Sequence, residues 1–117
     1  MNLSSLFGGG EATPVTSFTS IWEGTGIFSL TTIVNNPNCY LHGIQVVSRY
    51  TGGETRGNLR VFDGTIVIFQ MYPITDENQN LYMFTAPYKI TDSLQAQHSV
   101  LTGTPTNFSV RIYYSLI

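Results

Sequence analysis

The clearest pattern along the chain is a strict alternation of apolar and polar side chains near its C-terminal end. The apolar positions are Phe108, Val110, Ile112 and Tyr114, and the positions between them are Ser109, Arg111, Tyr113 and Ser115. Successive side chains of a β-strand point to opposite faces of its sheet, so a period of two predicts a strand with one face on the core. Tyr113 is expected to point outward from this strand.

Shorter stretches of the same kind run through most of the chain and are separated by turn signals. Residues 15–38 indicate two strands joined at Gly24-Thr25-Gly26, and Asp63-Gly64 is the strongest hairpin signal in the sequence. Pro73 and Pro87 are expected to end or break their strands, because proline cannot donate to a β-ladder. Further strands are expected over residues 41–50, 58–62, 66–72, 81–84, 88–91 and 94–101.

These elements predict an all-β fold. No window shows a helical period of useful length. Short strands with turns between them predict a compact antiparallel β-sandwich, either jelly-roll-like or Ig-like, and residues 15–117 are expected to form one such domain. Residues 1–14 are expected to form an extended N-terminal arm, in which Leu3, Leu6 and Phe7 precede the flexible Gly8-Gly9-Gly10.

The low charge of the chain narrows its partners. Charged residues make up 10% of the 117 residues, against about 25% in a typical soluble domain. Such a surface suits a protein packed against partners or copies of itself, and it also suits a robust extracellular-type β domain. The net charge of -2, with five scattered Lys and Arg residues, argues against nucleic acid as a partner. No stretch approaches about 18 consecutive apolar residues, so no membrane span is expected.

The residue types that carry chemistry are few and dispersed. His42 and His98 fall in predicted strands outside any metal-ligand spacing, and Cys39 is the only cysteine. Asp76-Glu77-Asn78 has the ligand types that calcium prefers, but without the calcium-loop pattern a solvated loop tip is the better interpretation. Asp63 is expected to serve its own turn. We therefore expect no catalytic residue, no metal site, no cofactor and no enzymatic activity.

Aromatic side chains, 13% of the sequence, are its most suggestive feature. Tyrosine is favoured at interfaces because one end of its side chain is apolar and the other is polar. Tyrosines also provide stacking platforms for sugars, although core packing is the commonest position for any single aromatic residue. The residues predicted to make interface contacts are Leu3, Leu6, Phe7, Trp22, Tyr72 and Tyr113.

Four stretches of the sequence resemble a class of small virion proteins of tailed phages. They are residues 40–47 (YLHGIQVV), 58–63 (NLRVFD), 88–96 (YKITDSLQA) and 108–114 (FSVRIYY). In that class a strand containing Gly and spaced apolar residues leads to a strand ending in Val-x-Val-Tyr/Phe-Asp, and the chain closes on an alternating strand. Between residues 40 and 114 the chain is similar to capsid decoration, or cement, proteins, from which it departs in the apolar residues 66–72.

This resemblance implies a fold, a function and partners. The fold is a compact β-sandwich, and the function is that of a phage virion structural protein that stabilises the capsid shell through protein–protein contacts. The implied partners are the major capsid protein and copies of this chain, as a homotrimer on the outer surface of a virion assembled in the host cytoplasm. Two alternatives stay open: a carbohydrate- or receptor-binding module of a tail fibre or spike, and a neck or tail structural subunit.

Overall fold

The computed structural model describes residues 20–51, 57–74, 78–100 and 104–117. The expected arm over residues 1–14 lies outside them. All regular elements among the described residues are strands, as the alternating sequence pattern predicts. In chain order they are β1 (Ser20–Thr25), β2 (Phe28–Val34), β3 (Cys39–Thr51), β4 (Gly57–Asp63), β5 (Ile66–Ile74), β6 (Asn78–Lys89), β7 (Leu94–Val100) and β8 (Thr104–Leu116).

The eight strands form two antiparallel sheets of four. Sheet A has the order β1-β8-β3-β6, and sheet B has the order β2-β7-β4-β5. Only β4 and β5 follow one another within a sheet, because every other connection carries the chain from one sheet to the other. This interleaved order is that of a jelly roll, one of the two sandwich types that the sequence predicted.

The core lies between the two sheets and follows the alternation of the sequence. In β8, Phe108, Val110 and Ile112 are at most 2% exposed, whereas Arg111 between them is exposed. In β4, Leu59 and Val61 are fully buried on the facing sheet. The inward face that the sequence predicted for β8 is therefore confirmed. The remaining buried apolar residues of the core are Val34, Cys39, Leu41, Ile44, Val46, Ile74, Ile90, Leu94 and Ala96. Partly buried hydrophobic side chains pack against this core.

The turn between β1 and β2 is fixed by one glycine and two hydrogen bonds. Gly26 has a φ of 64°, in the left-handed region that glycine adopts without steric cost. Its N–H donates to the carbonyl oxygen of Phe108 at 3.0 Å, and its carbonyl oxygen accepts from Nδ1 of His98 at 2.7 Å. Since Phe108 lies on β8 and His98 on β7, the turn is tied to an inner strand of each sheet.

Replacement of Gly26 by alanine is expected to lower the free energy of unfolding by about 1–2 kcal/mol, because a Cβ atom disfavours the left-handed region by about that amount. No atom lies within 4 Å of the added Cβ, so the cost is conformational and not steric. Urea denaturation measures the loss. Gly26→Asn is the matched control, since asparagine tolerates this region better, and equal losses for the two variants would contradict the explanation.

Two proline positions depart from the sequence prediction. β6 continues through Pro87, where a break was predicted, and β5 continues one residue beyond Pro73. The residues between Met83 and Tyr88 have no register partner on β3, because the pairing shifts at that point. β5 and β6 are both edge strands, and an edge strand accommodates proline because one side of it needs no ladder partner.

Candidate interaction surface

Large exposed hydrophobic side chains concentrate on two strands. Twelve such side chains are exposed among the described residues, and seven of them lie on β5 or β6. We call these two strands the β5–β6 edge. Its exposed large hydrophobic residues are Ile66, Val67, Tyr72, Leu81, Tyr82, Met83 and Tyr88.

The two strands of the β5–β6 edge lie on the same side of the sandwich. Phe69 of β5 and Tyr82 of β6 are in ring contact, with centroids 5.3 Å apart, so the edges of the two sheets meet there. The only charged residue on either strand is Lys89, at the end of β6. Its Nζ donates to the carbonyl oxygens of Pro37 and Ile90. The rest of the edge is uncharged and rich in apolar groups.

β6 also presents backbone groups that a partner strand could use. An edge strand carries N–H and C=O groups with no ladder partner on one side, and proteins protect such edges with charge, proline or short length. From Asn78 to Met83, β6 pairs with β3 without a register shift, so its other side, beside which no further strand lies among the described residues, is equally regular. The opposite edge of sheet A is different: β1 has six residues and carries Glu23, which forms an exposed ion pair with Arg111 at 3.0 Å.

The outer face of sheet A continues the apolar surface. Tyr113 points outward, as its place in the alternation predicted, and its hydroxyl donates to Oε1 of Gln45 at 2.9 Å. Exposed Ile21 is its register partner on β1. On its other side Met83 lies over Gly43, where an added Cβ would come within 2.4 Å of the methionine sulfur. Ile21, Tyr113 and Met83 therefore form an apolar row that ends at the β5–β6 edge.

The other predicted interface residues differ in how far they are exposed in the structure. Tyr72 is exposed on β5 and belongs to the β5–β6 edge. Trp22 is half-buried, packs against the core and meets the ring of Phe28 edge-on at 5.4 Å. Gly24 makes room for it, since an added Cβ there would lie 2.6 Å from the indole. A partner contact of Trp22 stays a prediction. Leu3, Leu6 and Phe7 lie outside the described residues.

Asp63 holds two connections of the fold together. Asp63 is 3% exposed, and its carboxylate accepts hydrogen bonds from the N–H and hydroxyl of Thr91, at 2.9 and 2.8 Å, from the N–H of Asp92 at 2.8 Å and from the hydroxyl of Tyr88 at 3.3 Å. The sequence interpretation assigned Asp63 to its own turn, whereas these bonds fasten the β6–β7 connection. Burial raises the pKa of this carboxyl, but hydrogen bonds from Thr91, Asp92 and Ser93 together outweigh burial and lower the pKa below its usual value.

The two histidines are buried. His98 is fully buried and stacks on Phe108, with ring centroids 3.6 Å apart and planes 10° from parallel. Because a carbonyl oxygen only accepts, its Nδ1 carries the proton donated to Gly26. Burial lowers the pKa of His98, against a smaller rise from that hydrogen bond. His42 lies 2.8 Å from Ser115 through Nε2, and burial lowers its pKa as well.

Cys39 and the remaining polar groups give no reactive cluster in the part of the chain that the structure describes. Burial raises the pKa of the Cys39 thiol, Lys89 lowers it and Asp63 raises it, with a net rise. A thiol with a raised pKa forms little of the nucleophilic thiolate at neutral pH. Among the described residues, which do not include Asp76 and Glu77, no group of three His, Cys, Asp or Glu side chains could hold a metal ion. None of the described residues belongs to a helix long and apolar enough to cross a membrane.

Comparison with known proteins gives neither a family nor a relative. No protein-family model matches the sequence, and no curated protein or solved structure matches it. The function therefore has to be inferred from the jelly roll and from the apolar surfaces that it displays.

Proposed function

We propose that this protein is a structural component of a phage virion, a capsid decoration protein that stabilises the shell through protein–protein contacts. The observation that carries the proposal is the uncharged, apolar β5–β6 edge, which continues into the row across sheet A. Exposed apolar side chains gathered on two neighbouring strands of a folded domain favour an interaction site. The low charge of the whole chain, 10% of its residues, points in the same direction.

The fold supports this function by analogy. Eight-stranded jelly rolls are the architecture of many viral capsid domains, and also of lectin domains and cupins. A fold shared by several functions does not decide between them. The fold therefore adds weight to the resemblance found in the sequence, while the surface carries the proposal.

The proposed mechanism is mechanical. A decoration protein adds buried area between shell subunits and so resists internal pressure on the capsid. One contact of about 1,600 Å² is enough for a specific interface, and weak contacts repeated over a lattice gain from avidity. The partners are the major capsid protein and further copies of this chain, for which the resemblance implies a trimer. Because the apolar surface carries little charge, binding is expected to change little with salt concentration.

Shell binding tests the proposal. The purified protein is mixed with empty heads assembled from the major capsid protein of the phage that encodes it, and bound protein is measured by sedimentation. Saturable co-sedimentation, together with a raised unfolding temperature of the heads, is expected. Heads that sediment without the protein would overturn the decoration role. Immunogold labelling of whole virions separates this role from that of a neck or tail subunit, which would be labelled at a single site.

The expected arm gives a second prediction for the same assay. Deletion of residues 1–10 removes Leu3, Leu6 and Phe7 but none of the described strands. If the arm lies along a neighbouring subunit, affinity for the heads should fall at least tenfold, while the urea midpoint of the isolated protein stays unchanged. Undiminished binding by the shortened chain would remove the arm from the mechanism.

A second candidate function is favoured by a depression on the outer face of sheet A. It has a volume of about 250 Å³ and is lined by Gln45, Val47, Ser109 and Arg111. Tyr113 adjoins it through its bond to Gln45. An aromatic ring beside amide, hydroxyl and guanidinium groups suits a sugar, as in a receptor-binding module of a tail fibre or spike. A glycan array on which Tyr113→Ala abolishes binding would support this function, and an array with no ligand at millimolar affinity would remove it.

A further inference from the structure

We infer that two copies of this chain associate through β6, which pairs edge to edge with β6 of the second copy about a two-fold axis. The inference rests on the proposal that copies of this chain associate, and it puts a two-fold pair in place of the trimer that the resemblance implies. Pairing of this kind would join the two copies of sheet A into one continuous sheet of eight strands.

The backbone of β6 fits another strand. Residues from Asn78 to Met83 follow β3 in uninterrupted antiparallel register. In such a ladder, alternate residues of the edge strand direct their N–H and C=O groups away from the sheet at regular spacing. A second strand can donate to and accept from these outward groups. Pro87 and the register shift before Tyr88 then limit the pairing to the first half of β6.

The side chains of the same stretch are complementary to themselves. Gln79, Leu81 and Met83 alternate on the outer face of β6, and Leu81 and Met83 are 57% and 44% exposed. A two-fold axis perpendicular to the sheet places this outer set opposite the same set of the second copy. Apolar groups that are exposed in the single chain therefore become cross-strand neighbours in the pair.

Charge favours a second copy as the occupant of this edge. No residue of β5 is charged, and Lys89, the one charged residue of β6, lies at the end of the strand farthest from Asn78. Antiparallel pairing places the two lysines at opposite ends of the contact, so identical edges meet without like-charge repulsion. A threefold ring needs two different patches in each contact, so a trimer would not use β6 against β6.

The mass of the protein in solution tests the contact. Native mass spectrometry and sedimentation are expected to show a dimer of the full chain, and Leu81→Lys is expected to reduce it to single chains, because a lysine on each edge strand opposes pairing. The matched control is Leu30→Lys, at a residue 51% exposed on the other side of the sandwich, which should remain dimeric. A wild-type monomer, a trimer, or a dimer that Leu81→Lys leaves intact would overturn the inference.

Cross-linking tests the symmetry. Single cysteines are placed in turn at each residue from 79 to 83, with Leu30→Cys as the control, and mild oxidation is applied to each variant. The native Cys39 is fully buried and adds no background. Directly opposed residues of antiparallel strands have Cα atoms about 4.5–5.5 Å apart, within the range of a disulfide. One position, at the axis, should give a covalent dimer, and the absence of any cross-link would contradict the pairing.

The shell-binding assay distinguishes a failure of this inference from a failure of the proposed function. A Leu81→Lys chain that binds heads would show that decoration does not need the β6 pair. A wild-type dimer that does not bind the heads would support the β6 pairing and overturn the decoration role.

Discussion

Replacement of Asp63 by alanine is expected to lower the free energy of unfolding by about 2–4 kcal/mol. The carboxylate accepts bonds from the N–H and hydroxyl of Thr91, from the N–H of Asp92 and from the hydroxyl of Tyr88. Each part-buried donor left without its charged acceptor costs about 1–3 kcal/mol, and water offsets part of this loss. The β6–β7 connection would lose these bonds to the β4–β5 hairpin. It would keep the bond from the N–H of Gly64 to the carbonyl oxygen of Ser93.

Urea denaturation at pH 7 measures this effect, and two variants calibrate it. Asp63→Asn keeps an acceptor oxygen in place but loses the charge, so its loss should be intermediate. Thr91→Val removes only the hydroxyl bond and should cost about 1 kcal/mol. If Asp63→Ala were no worse than Thr91→Val, the carboxylate would not hold this connection.

The same carboxylate predicts a pH dependence. The pKa of Asp63 is lower in the folded protein than its usual value of 3.8. Its stabilising contribution is therefore complete above that value and is lost as the pH falls towards the folded pKa. The difference in stability between the wild type and Asp63→Asn should be constant from pH 5 to 7 and should shrink below about pH 4.

Acidification from pH 7 to pH 5 is expected to lower the free energy of unfolding by up to about 2 kcal/mol through His98. Its pKa is lowered from 6.5 by burial in the core. Below pH 6.5 the unfolded chain takes up a proton that the folded chain does not, so stability falls by about 1.4 kcal/mol per pH unit until the folded pKa is reached. His42, whose pKa burial also lowers, adds in the same direction.

His98→Asn tests this assignment through urea midpoints measured across pH 5–8. The amide nitrogen of asparagine occupies the position of Nδ1 and can donate to Gly26, but it does not titrate. The lost stacking on Phe108 should cost about 2–3 kcal/mol at every pH, while the slope between pH 7 and pH 5 should be less steep than in the wild type. His42, whose pKa burial also lowers, contributes to the slope that remains, and His42→Asn should reduce it. An unchanged slope in His98→Asn would mean that His98 does not drive the acid sensitivity.

Local features of the fold follow directly from the sequence. The inward face of β8 is readable from Phe108, Val110 and Ile112 because alternation is a property of neighbouring residues. The hairpin at Asp63-Gly64 is readable for the same reason, and Gly64 has the positive φ, 63°, that such a turn requires. Pro87 misleads because its effect depends on whether the strand is at an edge, which neighbouring residues do not reveal.

Strand order and the candidate surface depend on contacts between distant parts of the chain. β1 pairs with β8, and β3 lies between β8 and β6, so no local pattern identifies the edge strands. The sequence accordingly named Tyr72 from the β5–β6 edge but missed Leu81 and Met83. One signal was available, the absence of charge along β5 and up to Lys89 in β6. The role of Asp63 was missed because its partner Thr91 is 28 residues away.

The central place of β8 in sheet A has a consequence for how the protein is made. β8 lies between β1 and β3, although it is the last of these strands to leave the ribosome. Until residues 104–116 emerge, β1 lacks its partner strand in sheet A and one edge of β3 stays unpaired. Pairing over such sequence distances is slow, and unpaired apolar strands favour aggregation meanwhile. Sheet A can therefore be completed only after β8 has been synthesised, when β8 pairs with β1 and with β3.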